Sequence, residues 1–357
     1  MKLSSDKFPR TTRAAIIVEQ GKPLVVDEIE LPKFLDAGQV LVELAFSGIC
    51  GSQLGEIDGV KGPDKWLPHL LGHEGAGRVL AVGPGVRHVK PSDTVVAHWK
   101  PSVGIESSAP RYCWRGEALN AGWVTTFNRH AVISENRLTP IPKDTDLKVA
   151  ALYGCAITTG FGLIDNQSGL RLGEDVVVFG AGGIGLNIIQ AARLSGARKI
   201  VAVDLFDDRL ELARRCGATE TVNGAKVDAW SKISDSFIER GPDVFVDNTG
   251  SPEVISRGYD IVDVEGRVLL VGVPDQAAKT TLNTLPLHFG KCILGTHGGD
   301  TEPHRDIHRY MNLAADRGLA FEELISDVRP LASINEQIAD MRSGATAGRC
   351  MIDLGAV

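Results

Sequence analysis

The feature that most constrains this chain is a glycine-rich turn near its middle. Four apolar residues at 176–179 run directly into the sequence Gly-Ala-Gly-Gly-Ile-Gly at 180–185. The apolar residues have the character of a buried strand, and the apolar spacing of 184–194 predicts a helix. A G-x-G-x-x-G pattern is a weak signal alone, but between a strand and a helix it has the context that dinucleotide binding requires. We therefore predict a dinucleotide-binding turn rather than a purely structural one.

Each position in this turn has its own physical task. Gly180 permits the tight turn, Gly182 lets a pyrophosphate approach the backbone, and Gly185 lets the helix pack closely on the strand. Gly183 and Ile184 begin the helix, where free N–H groups and the positive end of the helix dipole attract phosphate. The turn therefore predicts where the phosphates of the cofactor bind.

An acidic residue ends the next apolar segment. Residues 199–203 are Lys-Ile-Val-Ala-Val and lead to Asp204, 24 residues after Gly180, near the spacing of about 20 found in nucleotide-binding βαβ units. A carboxylate at this place accepts hydrogen bonds from the adenosine ribose and repels a 2′-phosphate. The sequence therefore favours NAD over NADP.

Two different patterns of strands divide the chain. Between about residues 12 and 142, short apolar runs are separated by turn signals, which indicates a β-rich domain. From about residue 175, compact strands alternate with helical patterns. This alternation predicts a doubly wound parallel sheet, so the expected fold class is α/β, a Rossmann domain with a second, β-rich domain. After about residue 295 the pattern is mixed, with a helix near 303–317 and a final strand at 350–354.

Composition excludes several classes of protein. A chain of 357 residues suits two domains of about 150 residues each. A net charge of −7 without a Lys/Arg cluster argues against nucleic acid as a partner. No run approaches the roughly 18 apolar residues of a membrane span, and residues 1–10 lack the apolar core of a signal peptide. We therefore expect a cytoplasmic protein.

Three residues far apart in sequence have the chemistry of a zinc site. Six cysteines without a C-x-x-C pair do not form a disulfide scaffold. Cys50 and His73 each lie in a glycine-rich segment, and Cys155 directly precedes the nucleotide-binding half. Two thiolates and an imidazole suit zinc, and three protein ligands leave the open position of a catalytic site. Spacing alone does not join these residues, and a loop histidine with an ordinary hydrogen bond stays an alternative for His73.

Four segments together resemble one known family. They occur in the family's order and span nearly the whole chain: 48–52 (GICGS), 72–79 (GHEGAGRV), 154–160 (GCAITTG) and 180–185 (GAGGIG). On these segments the sequence resembles the zinc-dependent alcohol dehydrogenase branch of the medium-chain dehydrogenase/reductase superfamily. The resemblance implies a GroES-like catalytic domain, residues 1–155 and 296–357, interrupted by a Rossmann NAD-binding domain at 156–295.

The resemblance also implies roles for individual residues. Zinc would be held by Cys50, His73 and Cys155 between the two domains. Glu74 matches a glutamate beside the metal that serves as an exchanging ligand or as a neighbour of the ligands. Ser52 matches the hydroxyl residue that binds the substrate oxygen. Further positions correspond to residues that contact the cofactor: Thr159, Arg209, Val271, Gly272, Val273 and Arg349. For the two arginines, a solvated surface position is an equally good interpretation.

The sequence departs from the family pattern at three places. Many relatives carry four closely spaced cysteines that bind a structural zinc, whereas only Cys113 lies between residues 95 and 127. We therefore expect a single, catalytic zinc. Gly55 stands where liver-type relatives have the outer histidine of a proton relay, and Gln53 replaces a common aspartate. The proton path and the surroundings of the metal are expected to differ accordingly.

The implied reaction is the reversible oxidation of an alcohol to an aldehyde or ketone by hydride transfer to NAD. The resemblance assigns the substrate pocket to His98, Trp99 and residues 123–127. The indole, Asn and His side chains in and near this stretch suit a sugar, polyol or cyclitol, but an equally good interpretation is that they fill the loop and cap strands. Relatives are commonly dimers or tetramers, so we expect a homo-oligomer. Two alternatives remain open: a zinc-free reductase of quinones or activated double bonds, and a non-enzymatic NAD(H)-binding protein.

Overall fold

The chain folds into two units, and the second interrupts the first in sequence. The structure is a computed structural model that describes residue 3, residues 8–237 and residues 240–356. The split unit consists of Met1–Cys155 and Glu302–Val357, and the inserted unit consists of Ala156–Thr301. Each has its own apolar core in the described residues.

The first part of the split unit is built almost entirely from strands. These are β1 (Thr11–Ile17), β2 (Val25–Glu30), β3 (Gln39–Ile49), β4 (His69–Leu70), β5 (Glu74–Val82), β6 (Thr94–His98), β7 (Tyr112–Trp114), β8 (Glu117–Leu119), β9 (His130–Ser134) and β10 (Leu138–Ile141). Two short helices accompany them, α1 (Gly51–Ile57) and α2 (Leu147–Leu152).

The inserted unit alternates helices and strands, as the sequence predicts. In chain order they are α3 (Ala156–Gly162), β11 (Asp175–Phe179), α4 (Gly183–Leu194), β12 (Lys199–Asp204), α5 (Asp207–Cys216), β13 (Glu220–Asn223), α6 (Ala229–Asp235), β14 (Val244–Asp247), α7 (Pro252–Ile261), β15 (Arg267–Leu270) and β16 (Cys292–Gly295). The chain then returns to the split unit with α8 (Pro303–Arg317), β17 (Ile325–Pro330), α9 (Ile334–Ser343) and β18 (Arg349–Asp353).

Short helical turns connect some of these elements. The 3₁₀ turns are Glu135–Arg137, Leu285–Phe289, Gly298–Asp300, Phe321–Leu324 and Leu331–Ser333, and a π-helical turn covers Leu163–Gln167. The turn at Gly298–Asp300 extends the inserted unit beyond the predicted boundary at residue 295. It does so because Gly299 packs directly on Gly162, where a Cβ atom would lie only 2.6 Å from the Gly299 oxygen.

Two sheets of the split unit enclose its core. One has the strand order β4-β1-β2-β7-β8, and the other has the order β10-β6-β5-β3-β18-β17, with β9 also paired to β3. Strand β1 borders two apolar clusters because successive side chains point to opposite faces. Ala15 and Ile17 lie in one cluster, and Ala14 and Ile16 lie in the other. All four are fully buried, which explains why residues 14–17 of β1 have no polar face.

The sheet of the inserted unit is parallel throughout. Its strand order is β13-β12-β11-β14-β15-β16. The order reverses between β11 and β14, which is where open α/β sheets bind ligands beyond the carboxyl ends of their strands. Val176, Val177 and Val178 of β11 are all fully buried, as expected for a strand covered on both faces. The glycine-rich turn begins at this strand's carboxyl end.

Two features of the fold differ from the sequence expectation. The apolar run at 267–273 predicts a strand, but β15 ends at Leu270, three residues earlier. The reason is that the N–H groups of Val271 and Gly272 both donate to the carbonyl oxygen of Asp247, at 2.8 and 3.1 Å, which turns the chain out of the ladder. Strands β2, β7 and β8 were not predicted either, because β2 contains three acidic residues and β7 and β8 are each only three residues long.

Candidate metal and cofactor sites

Cys50 lies at the junction where β3 ends and α1 begins. Its backbone is extended, with φ −95° and ψ 147°, as is usual for the residue that precedes a helix. The backbone N–H of Cys50 donates to Gln53 Oε1 at 3.1 Å. Two residues earlier, a Cβ atom on Gly48 would lie 1.9 Å from Glu74 Oε1, so only glycine fits there. The end of β3 is thus shaped to hold Cys50 beside a buried carboxylate.

His73 is positioned by a glycine and held by an amide. Gly72 has φ +90°, and a Cβ atom there would lie 2.4 Å from Thr126 Oγ1, so the bend before His73 needs glycine. The Nδ1 atom of His73 lies 2.7 Å from Gln53 Nε2. The other ring nitrogen, Nε2, is buried and has no hydrogen-bond partner.

Cys155 completes the group at the end of α2. A Cβ atom on Gly154 would lie 2.4 Å from the Ala97 oxygen and 2.8 Å from Glu74 Cα, so this glycine allows the chain to pass close to β5 and β6. The Cys155 side chain is buried, and its Sγ lies 4.0 Å from Cys50 Sγ. The residues 105 positions apart in sequence therefore meet because two glycine-rich segments pack closely.

The donor atoms of Cys50, His73 and Cys155 all lie within 4.8 Å of one another. Two sulfurs bound tetrahedrally to zinc at about 2.3 Å would be roughly 3.8 Å apart, which is close to the observed sulfur separation. A buried histidine nitrogen without a partner is costly unless something binds it, and zinc prefers thiolate and imidazole donors. The residues present therefore fit a zinc ion.

The electrostatics of the two thiols favour a thiolate at Cys50. Cys155 donates a hydrogen bond to Cys50, and this bond lowers the pKa of Cys50 well below its usual value while raising that of Cys155. The positive charge of Arg349 lowers the pKa of Cys50 further. A thiolate is the form of cysteine that binds metals.

Glu74 and Arg349 form a buried ion pair beside this group. Glu74 is fully buried on β5, and its Oε1 accepts a hydrogen bond from Arg349 Nε at 2.6 Å. Burial raises the pKa of Glu74 although the arginine opposes this. The structure thus places Arg349, on β18, against Glu74, and its expected contact with the cofactor stays a prediction. Direct ligation of zinc by Glu74 also stays a prediction.

The glycine-rich turn has the geometry of a phosphate cradle. Gly180 has φ +100°, and a Cβ atom on Gly185 would lie 2.0 Å from the Gly180 oxygen. Gly182 differs, because a Cβ atom there would meet nothing within 4 Å and would project into open space. The residue before α4 is Gly182, which has no side chain to cap the first turn of the helix at Gly183 and Ile184. The turn therefore leaves room and free N–H groups where an anionic group binds.

Comparisons with known proteins agree with these geometries. A family model described as "Zinc-binding dehydrogenase" matches residues 183–316, and one described as "Alcohol dehydrogenase GroES-like domain" matches residues 36–143. The chain is 30% identical to S-(hydroxymethyl)glutathione dehydrogenase of Paracoccus denitrificans, over 93% of this chain and 97% of that protein. The chain belongs to the zinc-dependent alcohol dehydrogenases.

Solved structures of such alcohol dehydrogenases have the same fold. An alcohol dehydrogenase zinc-binding domain protein from Burkholderia ambifaria matches with a TM-score of 0.87 and 29% identity, over 96% of this chain and 99% of that chain. Benzyl alcohol dehydrogenase from Acinetobacter calcoaceticus matches with a TM-score of 0.86 and 26% identity, over 97% and 99%. The predictions of the family, of the α/β fold with GroES-like and Rossmann domains, and of an oxidoreductase acting on CH–OH groups are therefore confirmed. This alcohol dehydrogenase family uses zinc and NAD(H).

Asp204 of this alcohol dehydrogenase is tied to the glycine-rich turn. Its Oδ2 accepts a hydrogen bond from the Ala181 N–H at 2.8 Å, and its Oδ1 accepts one from Phe206. Arg209 lies 3.7 Å from Asp204 and stacks on the ring of Phe206. The carboxylate therefore fixes the turn, and its contact with a ribose stays a prediction.

The remaining cofactor residues lie on two parts of the inserted unit. Thr159 is buried in α3, where Gly160 lets that helix approach Asn187 of α4. Residues 271–273 follow β15, and Val273 is exposed. These positions agree with cofactor contacts, which stay predictions.

The remaining predicted residues of the split unit have different surroundings. Ser52 is half-buried in the first turn of α1, two residues after Cys50. His98 is buried, and both its nitrogens are engaged, because Nδ1 donates to the Lys100 oxygen at 2.8 Å and Nε2 accepts from Thr139 Oγ1 at 3.0 Å. Trp99 is half-buried. A substrate contact by His98 would require one of these two bonds to break.

Sequence reasoning missed how Gln53 and Arg349 contribute to the metal group. Gln53 was recognised only as a departure from the family, yet its amide touches both Cys50 and His73. Its spacing of three from Cys50, in the first turn of a helix, was the one available signal. Among the described residues, no helix is both long enough and apolar enough to cross a membrane.

Proposed function

We propose that the protein interconverts a polar alcohol with its aldehyde or ketone, using NAD and one zinc ion per chain held by Cys50, His73 and Cys155. The observation that carries this proposal is the set of three converging donors, with a buried His73 nitrogen that has no protein partner. Cys113, Cys216, Cys292 and Cys350 are assigned no metal.

Zinc held by the three proposed ligands would supply Lewis acidity to an alcohol or carbonyl oxygen. The two thiolates neutralise the charge of the ion, and the Glu74–Arg349 pair beside them is itself neutral. Ser52, in the first turn of α1, is proposed to accept the proton of the substrate hydroxyl. Gly55 carries no side chain that can take this proton further, so another group, such as a ribose hydroxyl of the cofactor, must do so.

The glycine-rich turn is proposed to bind the pyrophosphate of NAD. Gly182 provides the open approach, and Asp204 provides an acceptor for the adenosine ribose. Its buried position beside the turn favours NAD over NADP, because a 2′-phosphate would meet the carboxylate. Arg209 lies close enough to moderate this repulsion, and we assign it a contact with the ribose or its substituents.

A groove in the split unit supports a polar substrate larger than a simple alcohol. It has a volume of about 1520 Å³ and reaches from His73 and Gln53 to Trp66, Asn120 and Trp123. Pockets for drug-sized ligands typically measure about 300–1,000 Å³, so this groove exceeds the needs of a short-chain alcohol. The side chains of Trp66 and Trp123 are 62% and 45% exposed. Exposed indoles offer flat apolar surfaces against which a sugar, polyol ring or cyclitol stacks while its hydroxyls meet polar neighbours.

The experiment that tests this function combines metal analysis with a substrate panel. We expect close to one zinc per chain, NAD-dependent turnover with polyols, sugars or cyclitols exceeding that with ethanol, and loss of turnover after chelation. Less than about 0.2 zinc per chain together with undiminished turnover of quinones or enones would instead establish the zinc-free reductase. NAD binding without turnover of any alcohol or carbonyl compound would establish the non-enzymatic alternative. Sedimentation of the same sample tests the proposed dimer or tetramer.

A further inference from the structure

The side chain of Gln53 joins two of the three proposed zinc ligands. Gln53 is buried in the first turn of α1 and is 1% exposed. Its Oε1 accepts the N–H of Cys50 at 3.1 Å, and its Nε2 lies 2.7 Å from His73 Nδ1. One amide therefore contacts the backbone of one ligand and the ring of another.

The polarity of these two bonds determines where the His73 proton lies. An amide nitrogen only donates, so His73 Nδ1 must be the acceptor. A neutral imidazole has one N–H, and with Nδ1 accepting, that proton is on Nε2. Nε2 is the atom without a protein partner and the one left to bind metal. While it carries the proton, its lone pair is not available to zinc.

Binding of zinc through Nε2 therefore requires the ring proton to move to Nδ1. The ring remains neutral, but Nδ1 changes from an acceptor to a donor and needs an acceptor in front of it. Gln53 can provide one only by turning its amide over, so that Oε1 faces His73. The Nε2 of Gln53 then faces the backbone N–H of Cys50, so that two hydrogen-bond donors face each other.

We propose that Gln53 is a positioning residue whose amide turns over when zinc binds, and that it weakens the hold on the metal because one amide oxygen cannot serve both donors. This inference rests on the proposed zinc site. A carboxylate of the same length has two acceptor oxygens and would serve Cys50 and His73 together. The substitution Gln53→Glu should thus improve metal retention, although it alters a residue that contacts two ligands.

The test measures zinc release to a chromogenic chelator from the zinc-loaded protein. We expect Gln53→Glu to release zinc about tenfold more slowly than the unaltered protein, and Gln53→Leu about tenfold faster, the size typical of changes to the partners of metal ligands. The matched control is Gln190→Glu, which makes the same change on α4 of the inserted unit. It should leave the rate unchanged. Equal or faster release from Gln53→Glu would overturn the proposal.

A second measurement separates rotation of the amide from the effect of added charge. In the unaltered protein labelled with ¹⁵N-histidine, His73 should carry its proton on Nε2 without metal and on Nδ1 with zinc. The Cys50 amide proton should lose its hydrogen-bonded shift when zinc binds, and should keep it in Gln53→Glu. An Nδ1 proton in both states, or an unchanged Cys50 signal, would refute the rotation. Failure of the unaltered protein to bind stoichiometric zinc would instead refute the proposed function.

Discussion

Two regions of the split unit use opposite ways of satisfying polar atoms. At Cys50, His73 and Cys155, donor atoms converge and one of them, His73 Nε2, has no partner. Around Glu135, by contrast, one buried carboxylate accepts three backbone N–H groups, from Arg87, His88 and Ile105, at 2.5–2.8 Å. Unmatched lone pairs indicate a place for a ligand, whereas matched donors and acceptors indicate a structural junction.

The second region includes the segment in which many relatives are expected to hold a structural zinc. Here Ser134 Oγ accepts the Ser107 N–H at 2.9 Å and donates to the Ile105 oxygen at 3.1 Å. Gly104 has φ +108°, and a Cβ atom there would lie 2.7 Å from Glu135 Cγ, so glycine lets the loop pass close to Glu135. Hydrogen bonds to Glu135 and Ser134 therefore fix this loop. Variants should therefore separate metal dependence from stability.

The largest expected effect is on turnover, at the metal group. Cys50→Ser should lower kcat/KM by at least about a thousandfold, because loss of Lewis acidity worth several kcal/mol corresponds to this factor. NAD titration should be unchanged, since the glycine-rich turn lies in the inserted unit. Cys113→Ser is the matched control in the other region and should keep full zinc content and turnover. Turnover of Cys50→Ser within tenfold of the unaltered enzyme would disprove a catalytic metal at this place.

The next effect is on stability, through the buried ion pair beside the metal group. Arg349→Met leaves the fully buried Glu74 without its partner and should lower the free energy of unfolding by about 3–5 kcal/mol. Urea unfolding measures this. The double variant Glu74→Gln with Arg349→Met should recover most of the loss, because no unpaired charge remains. Arg78→Met, at an exposed position of β5, is the control. A double variant no more stable than the single one would show that packing, and not charge, dominates.

A somewhat smaller effect is expected at the structural junction. Glu135→Ala removes the acceptor of three backbone N–H groups and should lower the free energy of unfolding by about 3 kcal/mol. Burial raises the pKa of Glu135, but the three N–H groups more than offset this, so the net pKa is lowered. Its contribution is therefore lost only as the pH falls below the ordinary range of a glutamate.

Zinc content makes this variant a direct test of the comparison. Glu135→Ala should retain as much zinc as the unaltered protein after dialysis, although its loop is weakened. Glu135→Gln, which keeps one oxygen acceptor, should lose less stability than Glu135→Ala. If Glu135→Ala loses zinc as Cys50→Ser is expected to, the two regions are one cooperative system and the contrast between them fails.

Much of the fold could be predicted from the sequence, because several strands and helices depend on residues that are close together in the chain. The strand at 175–179, the turn after it and α4 follow from a contiguous run of residues. The predicted strands at 199–204 and helix at 303–317 agree with β12 and α8. A metal group is different, because Cys50 and Cys155 meet only after two glycine-rich segments pack. Their association was predicted through the family resemblance and not through spacing.

The contacts of Arg349 and Glu135 could not be predicted from the sequence either, because they too depend on residues that are far apart in the chain. Arg349 reaches Glu74 because β18 pairs with β3 in a register that sets Met351 opposite Gly48. No local pattern encodes that register across some 300 residues. Glu135 follows an apolar strand and has nothing in its sequence that signals three backbone donors. Such contacts depend on tertiary packing, and they are where the structure adds most to the sequence.

The smallest expected effect is on the pH dependence of stability, through His98 at the end of β6. Burial lowers the pKa of His98 to about 4, from an ordinary value of 6.5. The unfolded chain therefore takes up a proton before the folded one does, so stability is fully present above pH 6.5 and is lost as the pH falls toward 4. By linkage the loss at pH 5 is about 2 kcal/mol.

His98→Gln removes the titrating group and provides the test. The free energy of unfolding should fall less steeply between pH 6.5 and 4 in this variant than in the unaltered protein, even if the variant is less stable at neutral pH. Zinc-free protein is used for both, so that protonation of the ligands does not contribute through metal loss. Parallel pH profiles would show that His98 is solvated and available to a substrate. Converging profiles would show that it fixes the Lys100 oxygen and belongs to the structural region.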